Sequence, residues 1–360
     1  MIFSRGTIVE RLSGEAVTES NITSTVLRST SVRDRAEDGA KGFVRWASGD
    51  SAPIIMVAIA VIVIGIVAAL VNPTYLSARS LSGMMTLVAT LAIVGYGQQL
   101  LMLVGGIDLS VGAVMGLVGV IASFFLLEDV GSGGQTLGWV LIIAVPIAIG
   151  LINFVLIEIV HLHPLIGTLA TFMALRAVSL ILRPLPEGLI DFAILDAIGY
   201  SLAFLPVVFI IAVVAGLGLE YLLFRHWLGI SMRGHGSRPE AARLAGVAPR
   251  RTKLIAYVGC SSIAGLAGIV MIGQVGTGDA RAGIGYTLTS IAAAVIGGAS
   301  LFGGRGSFIA ALFGAIFIIQ VNQVTAFVRL DIAWSNYLLG AMILGAVALY
   351  STSRKKAQAV

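Results

Sequence analysis

Long apolar runs separated by short polar interruptions make up most of the chain. Ten runs stand out, at about 54–71, 82–104, 111–127, 137–159, 165–182, 203–224, 254–273, 286–300, 306–328 and 335–350. Each approaches or exceeds the length needed to cross roughly 30 Å of hydrocarbon. None alternates apolar and polar residues as a half-buried strand would, and in lipid a helix satisfies every backbone group within its own segment. The pattern predicts an all-α polytopic membrane protein with about ten transmembrane helices. Polar stretches set the divisions: a tail at 1–50, a transmembrane domain at 51–352 interrupted by a polar island at 225–253, and a second tail at 353–360. The first tail is rich in Ser, Thr and Arg and lacks the apolar core of a signal peptide. It reads as largely disordered, with room for a short amphipathic helix.

Composition agrees with this reading. Of 360 residues, 58% are hydrophobic and 11% charged, and the mean hydropathy of +0.99 lies outside the soluble range. The 44 glycines suit closely packed or broken membrane helices. A lone Cys260 leaves no disulfide framework and no cysteine-based zinc site. The net charge of +5 matters less than its placement. Of the 23 Lys and Arg, seven fall in the first tail, seven in the island and three at 354–356. The positive-inside rule therefore puts both termini and the island on the cytoplasmic side. It also assigns the excess charge to membrane topology and lipid headgroups, not to nucleic acid.

Inside the island, a short helix is expected over 238–246. Ser237 and Glu240 have the S-x-x-E spacing of a capping box, Pro239 falls in the first turn, and Gly246 can end the helix in a left-handed conformation. Ala241 and Ala242 are small, with Arg238, Arg243 and Leu244 the larger neighbours. Such a helix could fit the groove of a partner protein. It could equally be a helical loop that only holds positive charge inside.

Two glycine segments resemble each other. Gly105-Gly106-Ile107-Asp108-Leu109-Ser110-Val111-Gly112 and Gly297-Gly298-Ala299-Ser300-Leu301-Phe302-Gly303-Gly304 both read GGxxLxxG. Six spans lie between them, which gives them one orientation and suggests a parallel repeat. In a chain this rich in glycine, chance is the competing account. Asp108, a carboxylate near membrane depth, is a candidate for a solute path or its gate. Alternatively, Asp108 or Ser110 simply caps the third span. The second segment reads as a tight reversal, with Arg305 meeting lipid headgroups or a partner.

Other polar groups are harder to place. Glu158 and Glu220 read as interfacial, with snorkelling a sufficient account, while Arg176 lies within a span and would need an internal partner. Polar residues within spans, among them Gln98, Asn153, Thr168 and Gln320, either hydrogen-bond a neutral solute or hold helices together. There is no G-x-x-x-x-G-K-[ST] phosphate loop, and no histidine, serine or cysteine has an evident catalytic or metal-binding partner. The chain reads as no enzyme.

Three segments together resemble the permease subunits of bacterial ABC importers for monosaccharides: GGIDLSVGAVMG (105–116), PEAARLAGV (239–247) and IAAAVIGGASLFGGRGSFIAALFGA (291–315). The resemblance runs over most of 54–350. It implies a two-permease core in the inner membrane, two cytosolic ABC ATPase subunits that bind ATP and Mg, and a periplasmic solute-binding protein. No cofactor is expected in this chain. The 238–246 helix would be the coupling helix seated on the ATPase. Relatives in the same superfamily carry branched-chain amino acids, nucleosides or autoinducer. An ion-coupled secondary transporter and a membrane scaffold are the rival classes. Two features depart from the family pattern: Gly236-Ser237-Arg238 stands where members often have Gly-Gly-Asn, and the tail is longer than usual.

Overall fold

The computed structural model describes residues 2–4, 7–10, 52–329, 331, 333–334, 337–338 and 340–341. The chain divides into two units, Met1–Ala52 and Pro53–Val360. In the first, β1 (Ile2–Ser4) pairs antiparallel with β2 (Thr7–Glu10), Ser4 standing opposite Thr7. A hairpin thus occupies part of the tail that the sequence pattern left without regular structure. The amphipathic helix considered for the tail lies outside the described residues.

The second unit is helical. Its long helices are α1 (Ala52–Val71), α2 (Ala78–Leu103), α3 (Val111–Phe125), α4 (Ser132–Glu158) and α5 (Pro164–Leu182). A short α6 (Phe192–Gly199) precedes α7 (Val207–Arg225), and α8 (Trp227–Ser237) and α9 (Pro239–Leu244) fill the polar island. Then come α10 (Pro249–Val275), α11 (Ile284–Ile296) and α12 (Phe308–Phe327). Seven of these are long and apolar enough to cross a membrane, and α3 and α11 are shorter apolar helices. Together they occupy the first nine predicted runs; the tenth, near 335–350, lies almost wholly outside the described residues.

Helix starts follow local chemistry. Ser77 caps α2 by accepting from Ser80 N at 3.3 Å. Proline opens α5, α9 and α10, where its missing N–H costs nothing. At the end opposite the island, β3 (Glu187–Leu189) pairs antiparallel with β6 (Thr277–Gly278), and β4 (Ser201–Leu202) pairs with β5 (Leu205–Pro206). Neither short ribbon, nor α6, was legible as an element in the sequence.

The core sits around α2 and α3. Residues Val88–Gln99 of α2 and Val111–Ser123 of α3 are all buried, enclosed by α4, α10, α11 and α12. Glycines bring these helices into backbone contact: a Cβ on Gly150 of α4 would lie 2.6 Å from Val258 Cα of α10. Gly265 of α10 makes room for Pro146 inside α4, since a Cβ there would lie 2.6 Å from Pro146 Cγ. The helices α1, α4 and α7 turn large apolar side chains outward, Ile62, Ile143 and Val214 among them. Lipid or another apolar surface must cover these faces.

Candidate functional site

Three chain segments that are distant in sequence meet beside the polar island. The first is the end of α2. Gly105, at φ +79°, donates from its N–H to Met102 O (3.0 Å), and Gly106 donates to Leu101 O (3.1 Å). This is a Schellman ending, which requires the left-handed residue glycine supplies. The second is the loop after α11, which ends the same way: Gly298 (φ +97°) donates to Val295 O at 2.9 Å and Ala299 to Ala294 O at 2.9 Å. The two glycine pairs are offset by one position, because the left-handed residue is the first of the pair in one case and the second in the other.

The third segment is the end of α8. Gly236 is wedged so tightly that a Cβ would collide with Leu103 O and Gly304 N. Gly304 N in turn donates to Leu103 O at 2.9 Å, and a Cβ on Gly303 would lie 3.0 Å from Gly236 Cα and 3.1 Å from Gly105 N. Ser300 is buried, and its Oγ accepts from Phe302 N at 3.2 Å, which shapes the loop. Gly297 is pressed against α12, where a Cβ would strike Ala310 O. Both glycine segments therefore belong to one junction, with α8 laid across them.

The island helix α9 hangs from this junction. Its form corrects the capping-box expectation. Ser237 is the last residue of α8, and Arg238 is the N-cap of α9, its side chain making no capping bond. The S-x-x-E spacing loses here because Ser237 packs against Gly304. The other end is as expected: Gly246 (φ +88°) donates to Arg243 O and Val247 to Ala242 O, both at 3.0 Å. Ser237, Arg238, Glu240, Ala241, Arg243, Leu244 and Gly246 are exposed, Leu244 by 85%. Ala242 is not. It is buried against α8, where a Cβ on Gly234 would lie 3.8 Å from its own. Ala242 therefore packs the two short helices together and offers no surface to a partner.

Asp108 lies behind the junction, fully buried. Its carboxylate accepts from Ser110 N (2.7 Å), Ser110 Oγ (2.6 Å), Asn153 Nδ2 (3.2 Å) and Ser261 Oγ (3.4 Å). Gln98 Nε2 donates to the backbone carbonyl of Asp108. Leu109 N donates to Thr168 Oγ1 at 3.1 Å. Asp108 thus fastens α2, α3, α4 and α10 where the chain reverses. Gln98, Asn153 and Thr168 serve this network, and Gln320 makes a separate link to the Tyr75 hydroxyl at 3.0 Å, so these polar side chains act within the protein.

Sequence reasoning missed several partners. Glu158 does not snorkel; it accepts from Lys253 Nζ at 2.6 Å, tying α4 to α10. Glu220 of α7 accepts from Ser307 Oγ (2.8 Å) and Phe308 N (2.7 Å), placing a carboxylate on the N-terminus of α12, where the helix dipole favours it. His235 of α8 is buried, and burial together with nearby Lys253 pulls its pKa below the ordinary 6.5, against an opposing pull from Glu158. Arg183 bonds Ser123 through Nε at 3.0 Å and Glu187 through Nη1 at 3.2 Å. These pairs span too many residues to be read from spacing, except Arg183–Glu187. The glycine pairs were the one readable signal of the junction.

Among the described residues the arrangement holds no catalytic constellation. It is a mechanical joint, in which a small exposed helix is fixed by backbone contacts to the ends of core helices. Comparison with known proteins fits that geometry. A family model described as branched-chain amino acid transport system / permease component matches residues 80–347. The fructose import permease protein FrcC of Rhizobium meliloti is 33% identical over 321 residues, covering 86% of this chain and 88% of its own length. The autoinducer 2 import system permease protein LsrC of Enterobacter sp. (strain 638) is 31% identical, over 79% of this chain and 82% of its own. The ribose import permease protein RbsC of Escherichia coli (strain K12) is 30% identical, over 74% and 83%. No solved structure gives a significant match.

Proposed function

Since the chain belongs to the branched-chain amino acid transport system / permease component family, the permease subunits of ABC importers, we propose that it carries a monosaccharide across the inner membrane. As a permease it is not an enzyme; hydrolysis of ATP resides in a separate ATPase subunit, and a solute-binding protein is its other partner. The relatives named for fructose and ribose import support a sugar as the solute. In this reading two permease subunits form the core, with lipid around it, and ATP and its Mg ion are held by the partner ATPase. Both termini and the island face the cytoplasm, as the distribution of Lys and Arg favours.

The observation that carries the coupling role is α9: an exposed helix with Leu244 at its surface, anchored through Gly236 to Leu103 and Gly304. Movement imposed on α9 by an ATPase would pass through α8 into the ends of α2 and α11. The core is close-packed and not continuously deformable, so such a push shifts whole helices. Asp108 in this reading is a fastening within the moving body, and the solute path lies elsewhere.

The test joins two measurements. The solute-binding protein encoded with this permease is titrated calorimetrically with fructose, ribose and other monosaccharides, and with autoinducer 2. Uptake of the ligand found is then followed in cells with and without the permease. A monosaccharide ligand taken up only with the permease present is the expected result. Tight binding of autoinducer 2 and of no sugar would replace the solute with the one named for LsrC.

A further inference from the structure

We infer that Arg176 stands in a water-filled solute path on the outer flank of α5, where its guanidinium hydrogen-bonds neighbouring hydroxyls of the passing solute. This rests on the permease reading above. Arg176 lies within the 19-residue α5, about 18 Å along its axis from Pro164, and so well inside the membrane. The buried stripe of α5 runs through Thr168, Thr171, Phe172 and Ser179, and its outer face carries Leu169, Met173 and Ile181. Arg176 sits on the border between the two, half-buried.

Its electrostatic situation is unlike that of the other charges within the bundle. Asp108 has three side-chain donors and one backbone donor, Glu158 has Lys253, and Glu220 caps a helix. Arg176 Nε is buried with no hydrogen-bond partner, and among the described residues its guanidinium makes no ion pair. One turn further on, Ser179 Oγ is also buried and unpartnered. Snorkelling does not rescue the charge. The nearer end of α5 is its C-terminus, whereas a helical side chain leans back towards the N-terminus and hence deeper into the bilayer. A lone guanidinium facing hydrocarbon is strongly unfavourable. The flank must therefore meet water and a polar guest.

The chemistry of the guest follows from the group. Guanidinium is a rigid planar fork of donors with no acceptor, suited to two adjacent oxygen acceptors. Vicinal hydroxyls of a sugar ring supply these, and Ser179 adds a hydroxyl that can donate or accept. An apolar solute would leave the fork unpaired.

The path and the solute are tested separately on the complete importer in proteoliposomes. The chain has a natural advantage for the first: its single cysteine, Cys260, is buried. Arg176→Cys is treated with a membrane-impermeant, sulfonated methanethiosulfonate reagent, with Ile62→Cys on the all-apolar α1 as the lipid-facing control. Rapid modification of Arg176→Cys and none of Ile62→Cys is expected; equal inertness of the two overturns the path. If Arg176→Cys fails to assemble, Met173→Cys reports the same flank without removing the charge, and its inertness overturns the path equally. For the solute, Arg176→Gln in an importer of normal assembly and ATPase rate should lower sugar uptake about tenfold, the scale of one charge-assisted hydrogen bond. Arg176→Lys should retain part of the uptake. Unchanged uptake by Arg176→Met overturns the solute contact. Rapid labelling of Arg176→Cys in an importer that carries no sugar would uphold the path and reject the monosaccharide reading.

Discussion

Gly304 N donates a 2.9 Å hydrogen bond to Leu103 O, joining the loop after α11 to the last residue of α2. Gly236 of α8 presses on the same carbonyl. Three segments that are unconnected in sequence meet here backbone to backbone, so a side-chain rearrangement alone cannot absorb a displacement.

The tightness of that contact is measurable. Gly236→Ala places a methyl group against Leu103 O and Gly304 N, a form of overpacking expected to cost about 1–3 kcal/mol. The thermal unfolding midpoint of the detergent-purified permease should fall accordingly. An unchanged midpoint would mean that the contact is loose.

Leu244 and Ala242 separate docking from packing. Leu244→Ala removes an exposed side chain and should leave the permease as stable as before, while weakening its co-purification with the ATPase about tenfold, roughly 1.4 kcal/mol. Ala242→Leu should instead destabilise the α8–α9 pair by about 1–3 kcal/mol. Destabilisation by the Leu244 change, with ATPase binding intact, would reverse these assignments.

Asp108→Asn exchanges an oxygen acceptor for an amide group that faces donors from Ser110, Asn153 or Ser261. The expected loss of stability is about 1–3 kcal/mol. Uptake per assembled importer should remain at the wild-type level. Loss of uptake without loss of stability would put Asp108 in the solute path.

His235 predicts a pH dependence. Its pKa in the fold is below the ordinary 6.5, so the unfolded chain binds the proton more readily. Its contribution to stability is therefore constant above about pH 6.5 and is lost progressively as pH falls below that value. In the His235→Gln variant that part of the acid-side slope should vanish when its unfolding midpoints are compared with those of the unaltered protein. Identical slopes would show that His235 does not titrate with unfolding.

The spans were legible because a membrane helix announces itself by the length of its apolar run, independently of what packs on it. Their ends were less so. The α10 helix begins at Pro249, five residues before the expected 254, because Arg250, Arg251 and Lys253 extend it into the polar zone and Lys253 finds Glu158. The island helix was visible through Pro239 and Gly246, which act locally. Burial of Ala242 was not, because its neighbour Gly234 belongs to a helix that the pattern left as loop. Glu220 read as interfacial because Ser307 and Phe308, the groups it caps, lie nearly ninety positions away. Local chemistry shows on the sequence, and contacts closed by the fold do not.

The way Asp108 is fastened has a consequence for biogenesis. Two of its donors are made early, in Ser110, and a third follows in Asn153, but Ser261 comes 153 residues later. Gln320 and Tyr75 are separated by 245 residues. During synthesis, α2 and α3 therefore enter the bilayer before the helices that cover their polar groups exist. A nascent chain halted before α10 would present those groups to lipid, a mark by which quality-control proteases can tell an unfinished permease from a complete one.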